Sequence, residues 1–180
     1  WGGFGAAAKT RFPKLTYVIV DLPQTLLFSA TYLLSAFPEA RIALYPELSV
    51  AEMAARIDEF DFVLLPHTRF DDIAIAIDLG INMVSFQEMT NAQVAHYLDR
   101  LVAMDCRRLY SFNRDESGNN REISKVSALI ADHFAPPRQI PILDYSYLTL
   151  VPQKGTRPPK KKKKAKGIAG LLGRSAPPPP

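Results

Sequence analysis

Hydrophobic positions along the chain keep two alternating rhythms. Six short runs, "TYVIVD", "ARIALY", "FDFVLLP", "DLGINMVSF", "RRLYSF" and "ILDYSYLTLV", are rich in β-branched and aromatic residues and read as strands. Between them apolar residues recur every three or four positions, the spacing of one helical face. After Asp21 the recurring set is Leu26, Leu27, Ala30, Leu33, Leu34 and Phe37, with Pro23 in a first turn that tolerates it. "SVAEMAARI" opens on Ser49 with Glu52 three positions on, a capping box that predicts a second helix. Thr90 and Gln93 repeat the box ahead of Val94, Leu98, Leu101 and Val102 on one face. A fourth helix is predicted from about Asn120 to just before Pro136, with Ile123, Val126, Ile130 and Phe134 inward. Strands alternating with helices in this way predict an α/β fold, a mostly parallel sheet with helices on both faces.

In such a sheet ligands gather at the carboxyl ends of the strands, so chemistry is sought where a polar residue stops an apolar strand. Asp21 stops "YVIV" in this way. In nucleotide-binding α/β units an acid so placed accepts hydrogen bonds from ribose hydroxyls, and a glycine-rich turn lets backbone approach the ligand. "WGGFGAAA" supplies such a turn, its Gly5 standing 16 residues before Asp21, where about 20 is typical. The same aspartate also reads as a helix cap ahead of Pro23.

Composition bounds this picture. A chain of 180 residues, 47% of them hydrophobic, buries one core of ordinary domain size. Its charge is segregated: residues 1–153 carry 13 Lys+Arg against 18 Asp+Glu, whereas residues 154–180 carry nine basic side chains and no acid. The acidic part is expected to be the α/β domain. The remainder, with seven prolines from Pro152 to Pro180 and a closing "PPPP", is expected to be a disordered tail. Its lysines from Lys160 to Lys166 can hold nucleic acid or an anionic surface through charge alone. "GIAGLLG" is too brief and glycine-rich to anchor the chain. A single cysteine, Cys106, precludes an internal disulfide and no Cys/His cluster suggests a metal, so a reducing cytoplasm is the expected setting. No run approaches the roughly 20 apolar residues that span a bilayer. The opening at Trp1 is expected to mark a fragment rather than a signal peptide.

Three blocks at strand ends, "GGFG" followed by "TYVIVDLPQTLLFSATYLL", then "INMVSFQEMT", then "LYSFNR", resemble in this order the sugar O-methyltransferases. These are a branch of the class I S-adenosylmethionine-dependent methyltransferases, and the resemblance covers roughly residues 1–150. It implies a Rossmann-like sheet whose first strand is missing from the chain, which would expose strand edges. It also implies that S-adenosylmethionine is the cofactor and a sugar hydroxyl, free or on a nucleotide-linked sugar or polysaccharide, the acceptor. Gly3, Phe4 and Gly5 match the latter half of the family's cofactor loop, with Trp1 where a first glycine is expected. Asp21, followed by Leu22, matches the ribose-binding acid. Leu65, Pro66 and His67 fall where adenine is contacted, if "DFVLLPH" rather than "ARIALY" is the third strand. The residues from His67 to Asp78 leave room for a short helix before strand four. Asn82, Ser85, Gln87 and Glu88 lie beside the reactive methyl group, with Asn113 and Arg114 able to reach a sugar hydroxyl or phosphate.

Methyl transfer to a hydroxyl is helped by a base that takes the proton as the bond forms. Glu88 is the expected base, ahead of His67, with Gln87 orienting the acceptor; Glu88 also reads as a first-turn acid complementing the dipole of the helix begun at Thr90. His96, two positions and about 200° round the helix from Val94, is expected to face solvent. His133 suits a helix carbonyl end, and Cys106 has no paired histidine and reads as structural. Two other functions stay open: a non-catalytic α/β domain whose basic tail binds nucleic acid or anionic surfaces, and a nucleotide-binding oxidoreductase.

Overall fold

The computed structural model describes residues 2–115, 120 and 122–135; "ILDYSYLTLV", the basic tail and Trp1 lie outside them. The described elements run α1 Gly3–Arg11, β1 Tyr17–Asp21, α2 Pro23–Ala36, β2 Ile42–Leu44, α3 Val50–Ala55, β3 Phe62–Pro66, β4 Gly80–Met83, α4 Asn91–Ala103, β5 Leu109–Phe112 and α5 Val126–Ala131. Short 3₁₀ segments occupy Ile57–Glu59, His67–Asp72 and Phe86–Glu88.

β3 is the middle strand of three. It pairs in parallel with β1 on one edge and β2 on the other, in the register Tyr17↔Phe62 to Asp21↔Pro66 and Ile42↔Phe62 to Leu44↔Leu64. Because successive side chains of a strand point to opposite faces, its uninterrupted "FVLLP" feeds two cores at once. Phe62 and Leu64 pack with Ala6 of α1 and Leu26 and Leu33 of α2. Val63 and Leu65 pack on the other side with Val50 and Met53 of α3, Phe70 and Ile73. Helices therefore cover both faces of a parallel sheet, as the alternation of patterns predicts. Leu27 and Leu34 are exposed, since α2 has the sheet on only one side.

The strands divide differently from the expected single sheet. Among the described residues β4 pairs in parallel with β5 alone, in a separate two-stranded sheet. After the 3₁₀ segment His67–Asp72 no helix forms where one is expected, and alternate residues Ile73, Ile75 and Ile77 go into the core of Val63 and Leu65. The fourth helix is also shorter than its pattern. Ser124 binds Asn91, Asn120 binds the Gln87 and Met89 carbonyls, and Asp115 accepts from the Ser127 N–H and hydroxyl. These bonds hold residues before Val126 out of the helix, while Ile123 still reaches the core of Phe86, Val94, Leu98 and Val126.

Both capping boxes form. Ser49 and Thr90 accept from the Glu52 and Gln93 N–H groups, and the two longer side chains bond back. The Ser49 hydroxyl, then its N–H, hold the Glu52 carboxyl below the usual carboxylate range. α2 has no such cap: its cap residue is Leu22, with Pro23 in the first turn.

At the amino edge of the sheet, Lys9 donates to the Leu15 carbonyl at 2.5 Å and to Asp61 at 2.6 Å, and the second Asp61 oxygen accepts the Arg41 N–H at 2.8 Å. Burial pushes the Asp61 carboxyl up, but the Lys9 hydrogen bond, the Arg41 N–H and the two positive charges together hold it below its ordinary range. Lys9→Met is expected to cost about 2 kcal/mol near neutral pH, less than a fully buried pair because Asp61 keeps some solvent contact. A carboxyl depressed in the folded state stabilises above its unfolded pKa of about 3.9, and that stability is lost as pH falls through the folded value. Denaturant titrations of the two proteins should therefore converge at low pH. A gap that persists at about pH 2 would assign the loss to packing rather than charge.

Candidate functional site

Asp21 and Pro66 are register partners at the carboxyl edge of the three-stranded sheet, so the two strand ends present Asp21–Leu22 and Pro66–His67 side by side. Asp21 is half-buried. One of its oxygens accepts the Leu22 N–H at 2.7 Å, and no cation pairs with it among the described residues. It does not cap α2, whose cap residue makes no side-chain bond. Leu65 and Pro66 are buried and Leu22 is exposed. His67 opens the 3₁₀ segment, half-buried, and its Nδ1 is shielded from solvent with no hydrogen-bond partner.

Beside this edge lies a cavity of about 350 Å³ lined by His67, Phe70, Ala92, Gln93, His96 and Tyr97. One wall is the 3₁₀ segment, the other the amino half of α4. His96 faces outward, as its helical position predicts, but it meets Asp71 at 2.9 Å, an ion pair when the imidazole is protonated. Arg100, one turn further on, stands 3.5 Å from the same carboxylate oxygen and donates to the Ile73 carbonyl at 2.9 Å. Tyr97 belongs to both hydrophobic clusters and packs on Phe70 with ring centroids 5.3 Å apart. Burial pushes its phenol above the ordinary range, and the Asp21 and Asp71 carboxylates push it further. Asp71, His96 and Tyr97 were not among the residues the sequence singles out for chemistry. The available signal was the spacing of His67 from Asp71 and of His96 from Arg100, each one helical turn.

Gly3, Phe4 and Gly5 are not in a loop near Asp21. They form the first turn of α1. Gly5 lies against the Tyr17 ring, where an added Cβ would stand 2.9 Å from a ring carbon, and Gly2 (φ +80°) packs on Ser29 and Leu33. Ser29 is six residues past the start of α2, about 9 Å along its axis, so Gly2 opposes the middle of α2 rather than the end that carries Asp21. These glycines serve close packing of α1.

The residues expected around the methyl group meet at the carboxyl edge of the second sheet. Asn113 donates to the Asn82 side chain at 3.0 Å and to Ser111 at 2.9 Å, and accepts the Ser85 N–H at 3.0 Å. Asn82 also accepts the Phe86 N–H. Gln87 is buried, accepting the Arg114 N–H at 2.9 Å and donating to Glu88 at 3.0 Å. These amides are consumed in joining the β4 and β5 turns, which is how buried polar groups are ordinarily satisfied. Glu88 and Arg114 remain exposed, and Glu88 ends a 3₁₀ segment ahead of α4 rather than lying in its first turn. Val84, at this corner, has φ +57°, an uncommon conformation for a β-branched residue.

The remaining sites are structural. His133 places its two ring nitrogens 2.9 Å from the Leu129 carbonyl and 2.9 Å from Asp99, tying α5 to α4. Cys106 is buried, its thiol donating to the Arg108 carbonyl. Among the described residues no group of three or more His, Cys, Asp or Glu is placed to hold a metal ion, and no helix is long and apolar enough to cross a membrane. The chain matches no family model, no curated protein and no solved structure.

Proposed function

We propose that the chain is an S-adenosylmethionine-dependent O-methyltransferase acting on a sugar hydroxyl. The observation that carries this reading is Asp21. It ends a strand at the carboxyl edge of a parallel sheet, keeps one oxygen free of protein partners, and has no capping duty that would otherwise account for it. Under this reading β1 and β3 correspond to the second and third strands of a Rossmann-like class I sheet, which are neighbours and parallel as these are.

The nucleoside half of the cofactor fits the residues present. The free Asp21 oxygen suits ribose hydroxyls, and exposed Leu22 offers apolar contact to a base, whereas the buried Pro66 does not. Gly3, Phe4 and Gly5, in the first turn of α1 with Gly5 and Phe4 beside Tyr17 at the far end of β1 from Asp21, are assigned no part in holding the methionine half. Bound S-adenosylmethionine supplies an electrophilic methyl group. The chain's own contribution is to bind the acceptor and take its hydroxyl proton, and His67 suits that role better than Glu88. His67 lines the cavity at the Asp21 edge, its Nδ1 shielded and its Nε2 open and without a hydrogen bond among the described residues, whereas the Glu88 carboxylate is held by Gln87 at the other sheet.

Asp21→Ala is expected to weaken S-adenosylmethionine binding by about 2 kcal/mol, the worth of charge-assisted hydrogen bonds to the ribose. Calorimetry on the full chain tests it. Equal cofactor affinity in the two proteins would remove the basis of this proposal.

A further inference from the structure

We propose that the cavity between the 3₁₀ segment His67–Asp72 and α4 is the acceptor site, and that it takes uncharged or amine-bearing sugars while rejecting phosphorylated and carboxylated ones. This rests on the sugar O-methyltransferase reading and adds the class of its acceptor.

The cavity's shape and its lining suit a sugar ring. At about 350 Å³ it lies within the range of small-molecule sites, which are mostly apolar with a few placed polar groups. Here Phe70 and Tyr97 supply ring surface for the C–H face of a pyranose. The Gln93 amide, the His67 and His96 imidazoles and the Tyr97 hydroxyl supply hydrogen bonds for its hydroxyls. The Tyr97 phenol, with its proton held more firmly than usual, remains a donor.

The charges around it decide the selectivity. The guanidinium groups on the two walls and His96 already stand beside carboxylates, Arg69 by Asp72 at 2.8 Å, His96 by Asp71 at 2.9 Å and Arg100 by Asp71 at 3.5 Å, while His67 has no carboxylate partner among the described residues. Asp21, across the sheet edge, has no cation among the described residues. A phosphate or carboxylate entering here would find the arginines and His96 already neighboured by carboxylates and the Asp21 negative charge nearby, and like charges brought together disfavour binding strongly. An ammonium would find the reverse.

The test is an NMR titration of the full chain at low salt, without cofactor, using methyl α-D-glucopyranoside, D-glucosamine and D-glucose 6-phosphate. The first two are expected to shift the ring resonances of Phe70 and Tyr97, and the phosphate to bind weaker by about tenfold or more. Asp71→Asn frees His96 and Arg100 and is expected to recover about tenfold of that deficit. The proposal is overturned if glucose 6-phosphate binds the unmodified chain as tightly as the glucoside, or if no sugar moves those resonances. A chain that discriminates the sugars but transfers no methyl group sinks only the methyltransferase reading. One that methylates the phosphorylated sugar readily sinks only the acceptor class.

Discussion

Replacing His67 with Gln is expected to lower methyl transfer by roughly 10²- to 10⁴-fold, the usual contribution of a positioned general base. A sugar hydroxyl holds its proton firmly at neutral pH, so the transition state for methyl transfer leaves a positive oxygen unless a neighbour accepts that proton. His67 stands at the end of β3, behind it the buried Leu65 and Pro66, with Nε2 open to the cavity and bonded to no group among the described residues. Glutamine keeps a hydrogen-bonding side chain of similar reach but no basic nitrogen. Cofactor affinity should therefore hold while turnover falls, a split that a merely structural role for His67 would not produce. Glu88→Gln, made beside it, is expected to stay within a few-fold of the parent, since the Glu88 carboxylate is exposed and braced by Gln87. The opposite pattern, full rate for His67→Gln and collapse for Glu88→Gln, would move the base to the second sheet.

Legibility in this chain follows the range of the interactions. The boxes at Ser49–Glu52 and Thr90–Gln93 are local, involve four residues each, and form as their spacing predicts. The run "FVLLP" announces a strand buried on both faces because every residue in it is apolar, and β3 is the middle strand. Asp21 is legible for a similar reason, as the first charge after an apolar run. Pairing between distant segments is not legible: nothing in "DLGINMVSF" distinguishes a strand that joins the first sheet from one that pairs only with β5. His96 shows the same limit. Its outward position follows from helical period, but its partner Asp71 lies 25 residues back on a 3₁₀ segment, and no local spacing brings the two together. Asn82, Gln87 and Asn113 mislead in the other direction. Amides at strand ends suit a ligand and suit a turn equally well, and only the folded chain reveals that backbone N–H groups of Phe86, Arg114 and Ser85 already occupy them.

Phe62→Ala is expected to cost 3 to 5 kcal/mol, roughly the range for removing a large aromatic side chain from a packed core. Phe62 is wholly shielded from solvent, in the middle strand, with Tyr17 and Ile42 as its register neighbours on either side. Its ring packs 5.5 Å from that of Phe37, just past the end of α2, and within the cluster that holds Ala6 of α1 and Leu33 of α2. A cavity at that point cannot close by moving one side chain, because the strands on both sides and the helix below meet at the same residue, and collapse of the surroundings is what makes such losses small. Domains of this size hold only about 5 to 15 kcal/mol against unfolding, so the variant should lose a large part of its margin. The loss should also be shared by the Asp21 edge, since among the described strands β1 is held to the sheet through β3 alone. Denaturant unfolding followed by two probes, one in α2 and one at Tyr97, checks both claims. Coincident transitions at a lower midpoint are expected. A loss below about 1 kcal/mol, or unfolding of α2 with Tyr97 unmoved, would show that β3 does not centre the core described here.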